Sequence, residues 1–118
     1  MLFTNAIILA LSGLVIARGN NTLEAKIQIE PYVGAPRAEF KTIYVPIDSS
    51  IYTNQDALAA VTTLFLVAPN NALCTPYKDE MATVPGGEPF SLDHPSHLAT
   101  NPVKVGSIVC KPFGTGAN

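Results

Sequence analysis

No cluster of basic residues occurs in this 118-residue chain: seven Lys and Arg stand singly against nine Asp and Glu, for a formal net charge of −2. A nucleic-acid interface needs several cations close enough to displace counterions from successive phosphates, and an anionic membrane needs a polybasic patch. The sequence offers neither. It also lacks a second long apolar run behind the one at its start, so the mature chain has no segment of roughly 20 apolar residues with which to span a bilayer. With two cysteines and two histidines, the three or four well-supported ligands of a zinc site are not assembled, and no cofactor motif stands in their place. Internal repeats and low-complexity tracts are absent. The length suits one domain and is too short for two ordinary ones.

What is present begins with "MLFTNAIILALSGLVIARGN". Its uncharged apolar run, Ala6 to Ile16, fits the core of a signal peptide, and Val15-Ile16-Ala17 supplies the small-x-small pattern read at cleavage. We expect residues 1–17 to be the signal peptide and 18–118 a single secreted, extracellular domain. Cleavage after Gly19 is the near alternative, and a buried N-terminal strand or helix the structural one. Asn20, in "NNT", is a glycosylation acceptor if it survives cleavage. "GTGAN" at the other end reads as a loose tail.

Along the mature chain, "LEAKIQIEPYV" alternates: Leu23, Ala25, Ile27 and Ile29 on one side, Glu24, Lys26, Gln28 and Glu30 on the other. That is a strand with one wet face. "AEFKTIYVPI" resumes the extended pattern, with Pro46 confining it to an edge. Thr53 or Asn54 then predicts a cap for a short helix through Ala57–Ala60, with Asp56 in its first turn. A buried strand is expected over Thr62–Val67, although Leu58, Val61 and Phe65 also keep helical spacing. "APNN" predicts a reverse turn and a hairpin into a strand near Leu73–Lys78. "MATVPGGEPFSLDHPSHLATNP" reads as a long surface loop with one helical turn at Ser96–Ala99 after Pro95. "VKVGSIVCKPF" predicts a last strand with a bulge at Gly106-Ser107. The sum is an α+β domain: a small antiparallel sheet of four to five strands, one or two short helices, and one disulfide. A mainly-β sandwich is the alternative.

Cys74 and Cys110 both fall in or beside expected strands of a small secreted domain, so they are read as one disulfide. The rival is a Cys74 nucleophile helped by His94 or His97, which would need a third group to orient the base. His94 and His97, three apart beside Asp93, could reach a metal only with further ligands. Asp79 and Glu80, as neighbours, point to opposite faces of a strand and read as a charged turn. Gly86-Gly87 lacks the strand-to-helix setting and lysine of a phosphate loop. No catalytic set is assembled.

The closing half, Cys74-x-x-Tyr77-x-Asp79, Gly86-Gly87, Phe90, then Thr100-Asn101-x-Val103-x-Val105-Gly106-Ser107-Ile108-x-Cys110, resembles a group of fungal small secreted proteins with a VGSI-x-C ending. The likeness covers roughly residues 61–112. Some proteins resembling this group are secreted-in-xylem and avirulence-type effectors. The resemblance implies a fungal source and action by binding a protein partner, either a second effector or a host protein, rather than by catalysis. The expected function is therefore secreted, non-enzymatic and effector-like. The candidate surfaces are the edge strand Ala38–Val45 and the aromatics Tyr44, Tyr77 and Phe90. The rivals are a small hydrolase or ribonuclease pairing His94 or His97 with Glu30 or Glu88, and a secreted toxin.

Overall fold

The computed structural model describes residues 23–112. The expected signal peptide, Asn20 and the tail lie outside them. Seven strands follow in order: β1 Glu24–Glu30, β2 Lys41–Pro46, β3 Ile51–Tyr52, β4 Thr63–Ala68, β5 Ala72–Tyr77, β6 Ser96–His97 and β7 Ser107–Pro112. The helical content of the described residues is one short 3-10 turn, Arg37–Glu39. This overturns the α+β expectation: the regular structure of the described residues is nearly all sheet, in two antiparallel sheets ordered β2-β1-β4-β6 and β3-β7-β5.

The alternation in β1 does what its period requires. Ala25, Ile27 and Ile29 are fully buried while Lys26 and Gln28 between them face out. Leu23, grouped with the inner residues by pattern, lies before the strand and is 64% exposed. Ile43 and Val45 of β2 and Leu64 and Leu66 of β4 complete one wall of the core. Ala72 and Cys74 of β5 with Ile108 and Cys110 of β7 form the other. The first part of the expected Ala38–Val45 strand is taken by the 3-10 turn, and pairing with β1 starts at Lys41.

The short helix fails for a reason visible in its hydrogen bonds. Asn54 does act as a cap, its Oδ1 accepting from the Ala57 N–H at 3.0 Å, and one turn closes from the Leu58 N–H to the Asn54 carbonyl. The next groups are claimed by distant chain. The Leu58 carbonyl accepts from Val105, and Val61 exchanges both backbone bonds with Val103. A helix this short gains too little per bond to compete with such pairing. The expected turn at Ser96–Ala99 is lost the same way: Ser96 and His97 pair with Leu64 and Thr63.

The expected hairpin of β4 and β5 also does not form. β4 lies between β1 and β6, whereas β5 pairs with β7 in the other sheet. The "long surface loop" is more ordered than its composition suggests. Its first half runs back along the free side of β5, with bonds from Lys78 N–H to the Val84 carbonyl, from Gly86 N–H to the Pro76 carbonyl, and in both directions between Cys74 and Phe90. The end of that loop and the residues after it, 96–106, cross from the β4 edge to β5 and so stitch the two sheets together.

Candidate functional site

The opposed pair Cys74 and Cys110, with Cα atoms 4.0 Å apart, forms the disulfide. Both residues are fully buried. Cys74 spends its two backbone groups on Phe90, so toward Cys110 it is a non-hydrogen-bonded position, the closer kind of antiparallel pair. With both sulfurs joined, a Cys74 nucleophile is excluded.

The residues around the bridge are a clasp. The Gly106 N–H donates to the Tyr77 carbonyl at 2.8 Å, and Ser107 Oγ donates to the Asp79 carbonyl at 2.7 Å. A Cβ on Gly106 would sit 2.5 Å from the Asp79 carbonyl carbon and the Lys78 carbonyl oxygen, so only glycine allows this approach. The Asp79 carboxylate accepts from the Thr83 and Val84 N–H groups at 2.9 Å and from the Thr83 hydroxyl. These donors favour its charged form and pull its pKa down to about 2, led by the Thr83 hydroxyl. Asp79 therefore closes a turn and is not half of an acid–base pair. Glu80 instead accepts from the Gln55 amide at 2.6 Å.

His94 lies on an exposed turn closed by mutual backbone bonds with Ser91. His97, on β6, is brought beside Glu30 by the register of β6, β4 and β1. Its Nδ1 is 2.9 Å from Thr63 Oγ1, and Glu30 Oε1 accepts from Thr62 Oγ1 at 2.7 Å. The Glu30 pKa is lowered, chiefly by the Thr62 hydroxyl, with His97 adding a smaller electrostatic pull. Both groups are thus held by threonines, His97 on the edge strand β6 and Glu30 at the end of the interior strand β1. Glu88 is exposed and is not drawn into this cluster. Among the described residues no three His, Cys, Asp or Glu side chains converge as metal ligands. No helix there is long and apolar enough to cross a membrane.

The three aromatics proposed for binding separate. Phe90 is fully buried against the bridge and belongs to the core, which removes it from the surface. Tyr77 is half-buried at the end of β5. Tyr44 is 52% exposed in the middle of β2, the outermost strand of its sheet. The register fixes which backbone groups of β2 face outward. Ile47 N–H bonds the Leu23 carbonyl, and alternate pairs from there place Val45, Ile43 and Lys41 in hydrogen-bonded positions toward β1. Thr42, Tyr44 and Pro46 therefore turn their backbone groups away from the sheet. Pro46, which has no N–H to offer, occupies a position where none is needed.

Beside this edge the 54–57 turn leaves an open recess of about 350 Å³, lined by Lys41, Thr42, Ile43, Asn54, Asp56 and Ala57. Lys41 Nζ closes one end by donating to the Asp56 carbonyl at 3.2 Å. On the outer face of the same sheet, Phe40 stacks on Phe65 at 5.8 Å. The Arg37 guanidinium lies over both rings and donates to Gln28 Oε1 at 2.8 Å. The edge is accordingly a row of outward backbone groups beside a firm aromatic face. Sequence patterning marked the strand and Tyr44, but could not show the recess, because its second wall comes from a segment expected to be helical.

Comparison with protein-family models, with curated proteins and with solved structures finds no match.

Proposed function

We propose that this is a secreted, non-enzymatic, effector-like protein that works by holding an extended segment of a protein partner against β2. The observation that carries the reading is the unpaired edge at Thr42 and Tyr44, with an exposed tyrosine on the same strand as the recess residues Lys41–Ile43 and a stacked Phe40–Phe65 pair on the same sheet. A strand added there would gain backbone hydrogen bonds, and Tyr44 would supply a large, stiff contact at low entropic cost. The buried disulfide suits an oxidising, extracellular setting. The VGSI-x-C resemblance supports a fungal effector-like role, with a second effector or a host protein as the partner. Its residues serve the scaffold: Cys74, Tyr77, Asp79, Gly106, Ser107 and Cys110 are the clasp itself.

The test is capture of partners from native secreted fluid and from host extract, with wild type, Thr42→Pro and Tyr44→Ala as baits. Proline at Thr42 removes only an outward N–H, so the fold should stand while strand addition is blocked. Loss of the same partner with both variants, at unchanged thermal stability, is the expected result. Retention of the partner by Thr42→Pro would refute edge pairing. A hydrolytic or ribonuclease activity in the purified protein that vanishes in His97→Ala would instead favour catalysis at the His97–Glu30 edge.

A further inference from the structure

A second concavity lies where the two sheets are stitched together. It has a volume of about 440 Å³ and is lined by Tyr77, Lys78, Gly86, Leu98, Val103, Lys104 and Val105. Four separate stretches build it, each fixed by backbone bonds. The end of β5 carries Tyr77 and Lys78. Gly86 is tied to Pro76, Leu98 to Thr62, and Val103 and Val105 to Val61 and Leu58. The walls are thus held from both sheets, and the volume falls in the range of preformed small-molecule sites.

Its chemistry is lopsided in a useful way. The apolar part is the Tyr77 ring with Leu98, Val103 and Val105, of which Val105 is almost fully buried. The charged part is Lys78 and Lys104, and among the described residues no carboxylate lines the cleft. The nearest acidic neighbour in sequence, Asp79, has its oxygens committed to Thr83 and Val84. In a chain of net charge −2, two cations over an apolar floor without a local counter-ion form an uncompensated positive spot. Neither lysine ammonium makes an ion pair or hydrogen bond among the described residues, and the Tyr77 hydroxyl makes no hydrogen bond among them. Gly86 keeps one wall at backbone height, since a Cβ there would meet the Tyr77 and Lys78 backbone at 3.1–3.2 Å.

We propose that this cleft binds a small amphipathic monocarboxylate, its apolar body lying on Leu98, Val103 and Val105 and its carboxylate between Lys78 and Lys104. The apolar contact supplies most of the affinity, and the two ammonium groups select an anionic head. The site is separate from the β2 edge, and neither binding event depends on the other.

The experiment is a titration of the isotopically labelled, disulfide-intact protein followed by amide NMR shifts. The probes are octanoate, octanamide and acetate, in the low millimolar range and below micelle formation. Octanoate should give saturable shifts confined to residues 77–78, 86 and 98–106. Octanamide, with the same body and no charge, should bind about tenfold more weakly, and acetate should give none. Lys78→Met and Lys104→Met should each weaken octanoate by about fivefold, the size of one lost near-surface charge contact. Lys111→Met, exposed and away from the cleft, should leave binding unchanged. These surface replacements leave the core alone, so folding is not at issue. Absence of saturable shifts in the cleft, equal affinity for octanoate and octanamide, or indifference to both cleft lysines would each overturn the proposal.

Discussion

Removing the Cys74–Cys110 bridge tests the scaffold most directly. The two cysteines are 36 residues apart. The chain-entropy relation for a loop of that length gives roughly 4 kcal/mol of stabilisation lost when the link is cut. Replacing both residues by alanine also removes two sulfurs from a fully buried site, at about 1 kcal/mol each on the scale of deleted core atoms. The double variant should therefore lose about 6 kcal/mol from a total of roughly 5–15, and stand near the limit of folding. With a urea slope of about 1 kcal/mol/M, cutting the link alone lowers the midpoint by about 4 M. Either single alanine breaks the same bond, so Cys74→Ala and Cys110→Ala should each lose about 5 kcal/mol, and their losses should not add in the double variant. Urea titration by far-UV circular dichroism, in parallel for the four proteins, measures this. Coincident midpoints for wild type and the double variant, or free thiols alkylated in the folded exported protein, would refute the reasoning.

Gly106→Ala should destabilise by about 1–3 kcal/mol, because the added Cβ meets backbone rather than a movable side chain; an unshifted urea midpoint would count against the clasp. Phe90→Ala, emptying a fully buried ring position beside the bridge, should cost about 3–5 kcal/mol in the same assay. Asp79 has its folded pKa depressed from 3.8 to about 2. Its stabilising effect is therefore complete above the unfolded value and drains away as pH falls from about 4 toward 2. Asp79→Ala should flatten the acid limb of the stability–pH curve in that window, and an unchanged limb would assign it to other carboxylates. Thr62→Val removes the hydroxyl that most lowers the Glu30 pKa. The Glu30 carboxyl should then titrate at higher pH by NMR, and the stability it contributes should be lost at a correspondingly higher pH on acidification.

The alternation from Ala25 to Ile29 fixed β1 and its buried face, because a period of two leaves an extended chain one way to hide its isoleucines. Pro46 marked β2 as an edge, since a residue without an N–H cannot sit in the middle of a sheet. The two cysteines announced their bridge. Each of these is a local property or a simple elimination. The rest turned on which distant segment answered which backbone group. Asn54 caps as its residue type requires, yet the helix ends after one turn because Val103 and Val105 claim Val61 and Leu58. β4 and β5, adjacent in sequence, part into different sheets because β4 takes β1 as its partner and β5 takes β7. The recess beside β2 and the lysine-rimmed cleft exist only where such separated stretches meet. Strand pairing is a choice among remote partners, decided by the total of bonds and apolar area they bury, and the tertiary structure alone settles that choice.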